Sequence, residues 1–176
     1  MKKVTFGTPE KLTPSYFCKN FNYVETETSY DVSSIRHEKN SRGYKLILPL
    51  GNDEQIFGFG LQLKRMNWTG GKATLRVNAD PVAATGDSHA PVPFFVSTAG
   101  YGIYFDTARY AEFNIGTAMT GTAVENGSQT ATSFAELYSY RKPAKGVIAV
   151  QIPAADGIDI YIIEGKTITD IVAQYN

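Results

Sequence analysis

The sequence predicts an all-β protein, an antiparallel β-sandwich that closes with one short C-terminal helix. Three observations favour this fold class. Short runs of Val, Ile, Thr and aromatic residues recur along the chain, turn signals separate them, and only the C-terminal residues repeat apolar side chains at helical spacing. Many short strands with turn signals between them are typical of a sandwich or a barrel and not of an α/β fold.

Ten segments are predicted as strands because β-branched and aromatic residues dominate them. In chain order they are Tyr16–Val24, Tyr44–Pro49, Gln55–Gln62, Lys72–Val77, Phe94–Ser97, Gly102–Asp106, Ala111–Ile115, Ala135–Tyr140, Gly146–Ile152 and Ile158–Ile163. The strongest turn signals are Asn126-Gly127 and Asp156-Gly157, because tight hairpins favour residues that accept positive φ.

The predicted helix covers Thr167–Tyr175. Thr167 is placed to cap its first turn, with Asp170 three residues later completing an approximate capping box. One face of the helix is apolar and consists of Ile168, Ile171, Val172 and Tyr175. This face is expected to pack on the sandwich, and the helix can also begin a linker to another domain; the two roles are compatible.

Length and charge limit the function classes. A chain of 176 residues fits one large domain, and 43% hydrophobic residues exclude a disordered chain. Seventeen basic and seventeen acidic residues cancel, which removes the electrostatic case for a nucleic acid or an anionic membrane as partner. A neutral, Tyr-rich chain suits an uncharged partner such as a carbohydrate. No signal peptide or transmembrane segment is predicted, and the compartment stays open.

No metal, cofactor or nucleophile site is predicted. Cys18 is the only cysteine, so no intrachain disulfide can form, and its apolar neighbours predict a buried structural residue. The two histidines, His37 and His89, lie in no zinc-binding pattern. Gly58-Phe59-Gly60 lacks the third glycine of a dinucleotide-binding loop.

The segment Asn78–Ala90 is the candidate binding loop. It connects two apolar strands and is longer than a hairpin needs. Its hydrogen-bonding side chains are Asn78, Asp80, Thr85, Asp87, Ser88 and His89. From the residues alone, a solvated turn and a ligand-binding loop are equally good interpretations.

Trp68, the only tryptophan, precedes the Gly70-Gly71 turn. An indole suits stacking on the C–H face of a sugar ring, provided that the turn leaves it exposed. The competing interpretation is that Trp68 packs on the neighbouring strands or on another domain.

Four motifs follow one another in a distinctive order. They are Phe57-Gly58-Phe59-Gly60, Asn78-Ala79-Asp80, Pro93-Phe94-Phe95-Val96-Ser97 and Gly100-Tyr101-Gly102-Ile103-Tyr104-Phe105. As an ordered set they resemble the N-terminal β-sandwich domain of glycoside hydrolase family 31, over about two-thirds of the chain. The end of the sequence, Ile160–Thr167 followed by the helix, is similar to the family's exit toward its catalytic barrel, except that Lys166 replaces a usual Pro.

The resemblance implies a galactose mutarotase-like supersandwich and a role in a longer enzyme. Residues 1–176 would form one N-terminal domain of a retaining α-glycosidase, whose (β/α)8 barrel carries both catalytic Asp residues outside this chain. No catalytic residue and no cofactor are then expected here, and the chain alone would be inactive.

The resemblance also implies a site. A family loop reaches over the barrel mouth, and by its motif position Asp80 would accept hydrogen bonds from sugar hydroxyls. Asp87 and His89 are secondary candidates, and Trp68 is the stacking candidate. The loop sequence Thr85–His89 differs from the common α-glucosidase pattern, which leaves the sugar open.

Two other functions remain as alternatives: an autonomous carbohydrate-binding sandwich, and a purely structural domain. Partners are expected to be the carbohydrate substrate and the barrel. A domain without its barrel should expose an apolar surface, near the C-terminal helix and the candidate loop, through which dimers can form.

Overall fold

The computed structural model describes residues 1–18, 21–62, 65–78, 85–119 and 146–176. These residues form ten strands, two α-helices and one 3-10 turn at Val32–Ser34. The helices are α1 (Pro14–Phe17) and α2 (Ile168–Tyr175). The strands are β1 (Lys2–Gly7), β2 (Arg36–Asn40), β3 (Gly43–Pro49), β4 (Ile56–Gly60), β5 (Gly71–Leu75), β6 (Pro91–Ser97), β7 (Tyr101–Asp106), β8 (Ala111–Met119), β9 (Gly146–Pro153) and β10 (Gly157–Glu164).

The strands form two five-stranded sheets that pack face to face. Sheet A has the order β1-β10-β7-β6-β4, and sheet B has the order β2-β3-β9-β8-β5. Neighbouring strands are antiparallel in both sheets. The predicted all-β sandwich with a C-terminal helix is therefore confirmed. Within the described ranges, neither helix has the length and apolar composition needed to cross a membrane.

Eight of the ten predicted segments coincide with β3 to β10. The segment Ala135–Tyr140 lies outside the described residues. The strand predicted at Tyr16–Val24 is wrong, because Pro14 begins the short helix α1 and residues 21–24 have no regular structure. Pro suits the first helical position, where no N–H is needed.

A buried carboxylate, Asp106, anchors α1 and explains why this segment is a helix and not the predicted strand. Asp106, at the end of β7, is 2% exposed and accepts a hydrogen bond from the Ser15 backbone N–H at 3.1 Å. The Ser15 hydroxyl and the Tyr104 hydroxyl also donate to it. Cys18, the residue after α1, is exposed, so its predicted burial is wrong as well.

Phe59 lies at the centre of the core between the sheets. Its ring centroid is 4.8 Å from that of Phe113 and 5.7 Å from that of Trp68. Phe59 has φ 68°, at a register shift between Gly58 and Gly60 in the pairing of β4 with β6. The two flanking glycines therefore permit a bulge that turns this aromatic side chain inward.

Sheet A is apolar on both faces. Its outer face carries Phe94, Tyr104, Tyr161 and other buried side chains, against which Ile171 of α2 packs. The rings of Phe94 and Tyr175 stack with centroids 4.0 Å apart. All six residues of β7 are buried as a result. The predicted packing of the C-terminal helix on the sandwich is confirmed for Ile171 and Tyr175, whereas Ile168 and Val172 of the predicted apolar face are exposed.

The predicted capping box of α2 is also present. Thr167 Oγ1 accepts from the Asp170 backbone N–H at 3.1 Å, and the Thr167 N–H donates to Asp170 Oδ2 at 2.9 Å. The side chains thus satisfy two backbone N–H groups that a helix start leaves without partners.

Candidate functional site

The candidate loop leaves sheet B after β5 and enters sheet A at β6. Its base, defined as Arg76–Asn78 and Thr85–Ala90, is held by backbone hydrogen bonds. The Asn78 N–H donates to Ser88 O at 2.9 Å, and the Ser88 N–H donates to Arg76 O at 3.2 Å. Asp80 comes between these two arms in the sequence, in the segment 79–84 that is called the tip and lies outside the described residues. The loop base therefore holds the described residues on either side of this segment.

The returning arm of the loop also packs against β5 and the end of β4. The Thr74 N–H donates to Thr85 O at 2.6 Å. Gly86 has φ +97°, and a Cβ there would lie 2.6 Å from Thr74 N, so the close approach requires glycine. Gln62 Nε2 donates to Gly86 O at 3.2 Å and to Phe59 O at 2.9 Å.

An ion pair braces the loop base. Arg76 Nη2 lies 2.9 Å from Asp87 Oδ2, and the Asp87 side chain is 8% exposed. The hydrogen bond and the charge of Arg76 hold the pKa of Asp87 below its ordinary value, with further hydrogen bonds from Asn78 and Thr85. Asp87 thus supports the loop base. The sequence did not indicate this role, because Arg76 and Asp87 are far apart along the chain.

Acid should weaken this brace. Because the pKa of Asp87 is lower in the folded state than the unfolded value of about 3.9, its contribution to stability is present above that pH and is lost as the pH falls through the folded pKa. We expect Asp87→Asn to destabilise the chain at pH 7, and the difference from wild type to shrink below pH ~4. Urea unfolding between pH 7 and pH 3 measures this.

The exposed Asp53, in the turn before β4, provides the matched control. Asp53→Asn should leave the free energy of unfolding at pH 7 close to that of wild type. A difference between wild type and Asp87→Asn that stays constant down to pH 3 would contradict the ionic role of Asp87.

The other predicted site residues lie in different environments. His89 is exposed, at the end of the loop base. Trp68 is 0% exposed, and the guanidinium carbon of Arg65 lies 5.2 Å from its ring centroid. The suggestion that Trp68 stacks on sugar is wrong for this position, because the indole has no exposed face; its packing role is the one observed.

Apolar side chains are exposed beside the loop base and around both helices. Leu61, whose N–H donates to Ala90 O, is 54% exposed, and Val77, which pairs with Ser88, is 74% exposed. The others include Leu12, Tyr16 and Phe17 around α1 and Ile168 and Val172 on α2. No group of three or more His, Cys, Asp or Glu in the described part of the chain is arranged to hold a metal ion.

Comparison with known proteins gives a family match and several structures of the same fold. Residues 8–114 match the family described as the glycosyl hydrolase 31 N-terminal galactose mutarotase-like domain. No curated protein matches the sequence.

Three solved structures illustrate the likeness of fold. A glycoside hydrolase 31 dextranase from Flavobacterium johnsoniae, complexed with glucose, is 21% identical with a TM-score of 0.57, covering 83% of this chain and 15% of that one. The cycloalternan-forming enzyme from Listeria monocytogenes is 22% identical with a TM-score of 0.55, covering 83% and 12%. The cycloalternan-degrading enzyme from Trueperella pyogenes is 19% identical with a TM-score of 0.51, covering 81% and 18%. This chain therefore spans less than a fifth of each of these enzymes.

Proposed function

Because this chain belongs to the glycosyl hydrolase 31 N-terminal galactose mutarotase-like domain family, we propose that it serves as the non-catalytic N-terminal domain of a retaining α-glycosidase. It contributes a packing surface to the catalytic barrel and a loop that touches the substrate. The observation that carries this proposal is the family match, together with a loop base held by backbone hydrogen bonds and the Arg76–Asp87 ion pair.

The proposed chemistry is divided between two domains. The barrel supplies two Asp residues, one as nucleophile and one as general acid and base, and this chain supplies neither. Asp80, at the loop tip, accepts hydrogen bonds from sugar hydroxyls next to the bond that is cleaved. Such bonds are strengthened by the negative charge of the carboxylate and by exclusion of water when the loop covers the site.

The loop base supports this role physically. A substrate contact helps catalysis only when it is held in the correct geometry, since a displacement of about 1 Å can cost about 10²-fold in rate. Backbone hydrogen bonds join the two arms to each other and the returning arm to Thr74 of β5, and Gln62 ties the returning arm to the core residue Phe59. The tip therefore starts from a rigid platform. We also propose that His89, which is exposed near the end of the loop base, contacts the substrate.

The apolar surface around α1 supports the proposed packing against the barrel. Leu12, just before α1, is 61% exposed, and Tyr16 and Phe17 of α1 are 64% and 66% exposed, although Asp106 anchors α1 on the sandwich. Apolar side chains that stay exposed to solvent on an anchored segment are typical of an interaction surface. Dimers of the isolated chain are proposed to form through the same surface.

Asp80→Ala tests the substrate contact in the protein that joins this chain to its barrel. Loss of a charged hydrogen bond costs about 1.5–3 kcal/mol, so kcat/KM for an α-glycoside should fall by about 10- to 100-fold. Asp53→Ala, which removes an exposed carboxylate outside the loop, is the control and should keep wild-type kcat/KM. The 176-residue chain alone should hydrolyse no aryl α-glycoside.

Two results would contradict the proposal. Unchanged kcat/KM in Asp80→Ala, with the control also unchanged, would remove the substrate contact and leave only a packing role. Turnover by the pure 176-residue chain, abolished by mutating one of its own Asp residues, would show that the chain is itself catalytic.

A further inference from the structure

The outer face of sheet B contains an elongated groove along β9. Two adjoining hollows form it, with volumes of about 190 Å³ around Val147 and about 300 Å³ around Gln151. They adjoin because the outward-facing positions of β9 run from Val147 through Ala149 to Gln151, and Ile47 and Lys45 follow the same order on β3. The groove is separated from the candidate loop by β8 and β5.

Ala149 makes the floor of the groove. It is paired with Ile47 of β3 on one side and with Asn114 of β8 on the other. Larger side chains therefore surround a single methyl group, and the face of the sheet is hollow at its middle strand. An ordinary solvated sheet face, with long side chains at every outward position, would have no such depression.

One end of the groove presents polar groups that are already fixed in place. Asn40 Nδ2 donates to Gln151 Oε1 at 2.9 Å, and Gln151 Nε2 donates to Tyr44 O at 3.2 Å. Glu112 stands beside Gln151 on the neighbouring strand, and its side chain is 16% exposed. Fixed donors and acceptors lose little conformational entropy when a ligand binds.

Both carboxylates at the groove, Glu112 and Glu38, are paired with basic side chains. Glu112 lies 3.2 Å from Lys72 and 3.7 Å from Arg42, and Lys45 lies 3.2 Å from Glu38. With Arg36 at the other end, the groove has more basic than acidic side chains, and its ion pairs and amides offer hydrogen bonds that hydroxyl groups can meet.

The other end of the groove is mostly apolar. Ile47, Pro49, Leu50 and Val147 line it, together with Ser34, Arg36 and Gly146. A ligand that fits both ends needs apolar C–H surface and many hydroxyl groups in one elongated molecule, and an oligosaccharide has both. Small-molecule sites generally combine apolar lining with a few fixed polar groups in this way.

We propose that this groove is a second carbohydrate site, which binds an oligosaccharide independently of the loop that carries Asp80. It goes beyond the proposed function, because it gives the sandwich a binding activity of its own that does not need the barrel. Its ligand lies along β9, with hydroxyls at Gln151 and Glu112 and the C–H face against Ile47 and Val147.

Nuclear magnetic resonance titration of the ¹⁵N-labelled 176-residue chain with isomaltotriose tests this. Amide shifts are expected on β3, β8 and β9, with saturation. Ala149→Leu fills the floor of the groove and should weaken binding by about tenfold or more. Ala173→Leu, the same change on the exposed side of α2, should bind like wild type.

A second variant covers the case in which Ala149→Leu fails to fold. Asn114→Ala removes an amide from the groove wall without adding volume, and it should also weaken binding. Absent shifts, shifts confined to the loop base, or unchanged affinity in the folded variants would overturn the proposal. Saturating shifts in the groove with an extended peptide but not with isomaltotriose would overturn it too.

Discussion

Replacing Trp68 by Ala should lower the free energy of unfolding by about 3–5 kcal/mol. The indole is fully buried and contacts Phe59 edge to face, with Arg65 stacked on it. Its removal leaves a cavity next to the residue at the centre of the core. Because domains are typically stable by only about 5–15 kcal/mol, the loss is a large fraction of the total.

The measurement is urea unfolding followed by far-ultraviolet circular dichroism, since the variant has no tryptophan fluorescence. Trp68→Phe is the matched variant. It keeps an aromatic ring against Phe59 and should cost less than Trp68→Ala, because a smaller cavity remains. A loss below about 1 kcal/mol for Trp68→Ala would mean that the indole is not the core side chain described here.

Replacing Gly60 by Ala should cost about 3 kcal/mol or more, because two penalties combine. Gly60 has φ +81°, which an L-residue adopts with strain. A Cβ there would also overlap Ala90 O and lie 2.6 Å from Val92 N, and both are backbone atoms that cannot rotate away. Gly60 pairs with Pro91, so the same change also disturbs the point where the candidate loop joins β6.

Gly70→Ala separates the two penalties. Gly70 has φ +73°, but a Cβ there would meet nothing within 4 Å. Only the conformational cost applies, about 1–2 kcal/mol. Urea unfolding of both variants gives the comparison, and hydrogen exchange of the Leu61 and Ser88 amides reports on the loop base. Equal losses in the two variants would show that the close approach at Gly60 is relieved at little cost.

The strands that sequence patterns predicted are those that bury their side chains. Runs such as Ile158–Ile163 are apolar enough to identify a strand with both faces covered. The edge strand β2, Arg36–Asn40, was missed because its side chains are largely exposed and charged, and β3 alone determines its pairing. At Tyr16–Val24, apolar composition suggested a strand, but Pro14 and the anchor at Asp106 produce a short helix with exposed aromatic residues.

The candidate site was predictable only in part. The position of the loop follows from the polar segment between two apolar strands, and the order of the motifs pointed to the family. The Arg76–Asp87 ion pair and the contact of Gln62 with Gly86 were not predictable, because the folded loop base brings these residues together and their spacing in the sequence does not show it. The burial of Trp68 depends in the same way on Phe59 turning inward.

The pairing of β1 with β10 has a consequence for biosynthesis. Lys2 is aligned with Ile162, and β10 lies between β1 and β7. A nascent polypeptide on the ribosome must therefore keep β1 without this partner until β10 has been translated. A product that stops before Gly157 would present two open strand edges, to which chaperones or other incomplete copies can add strands.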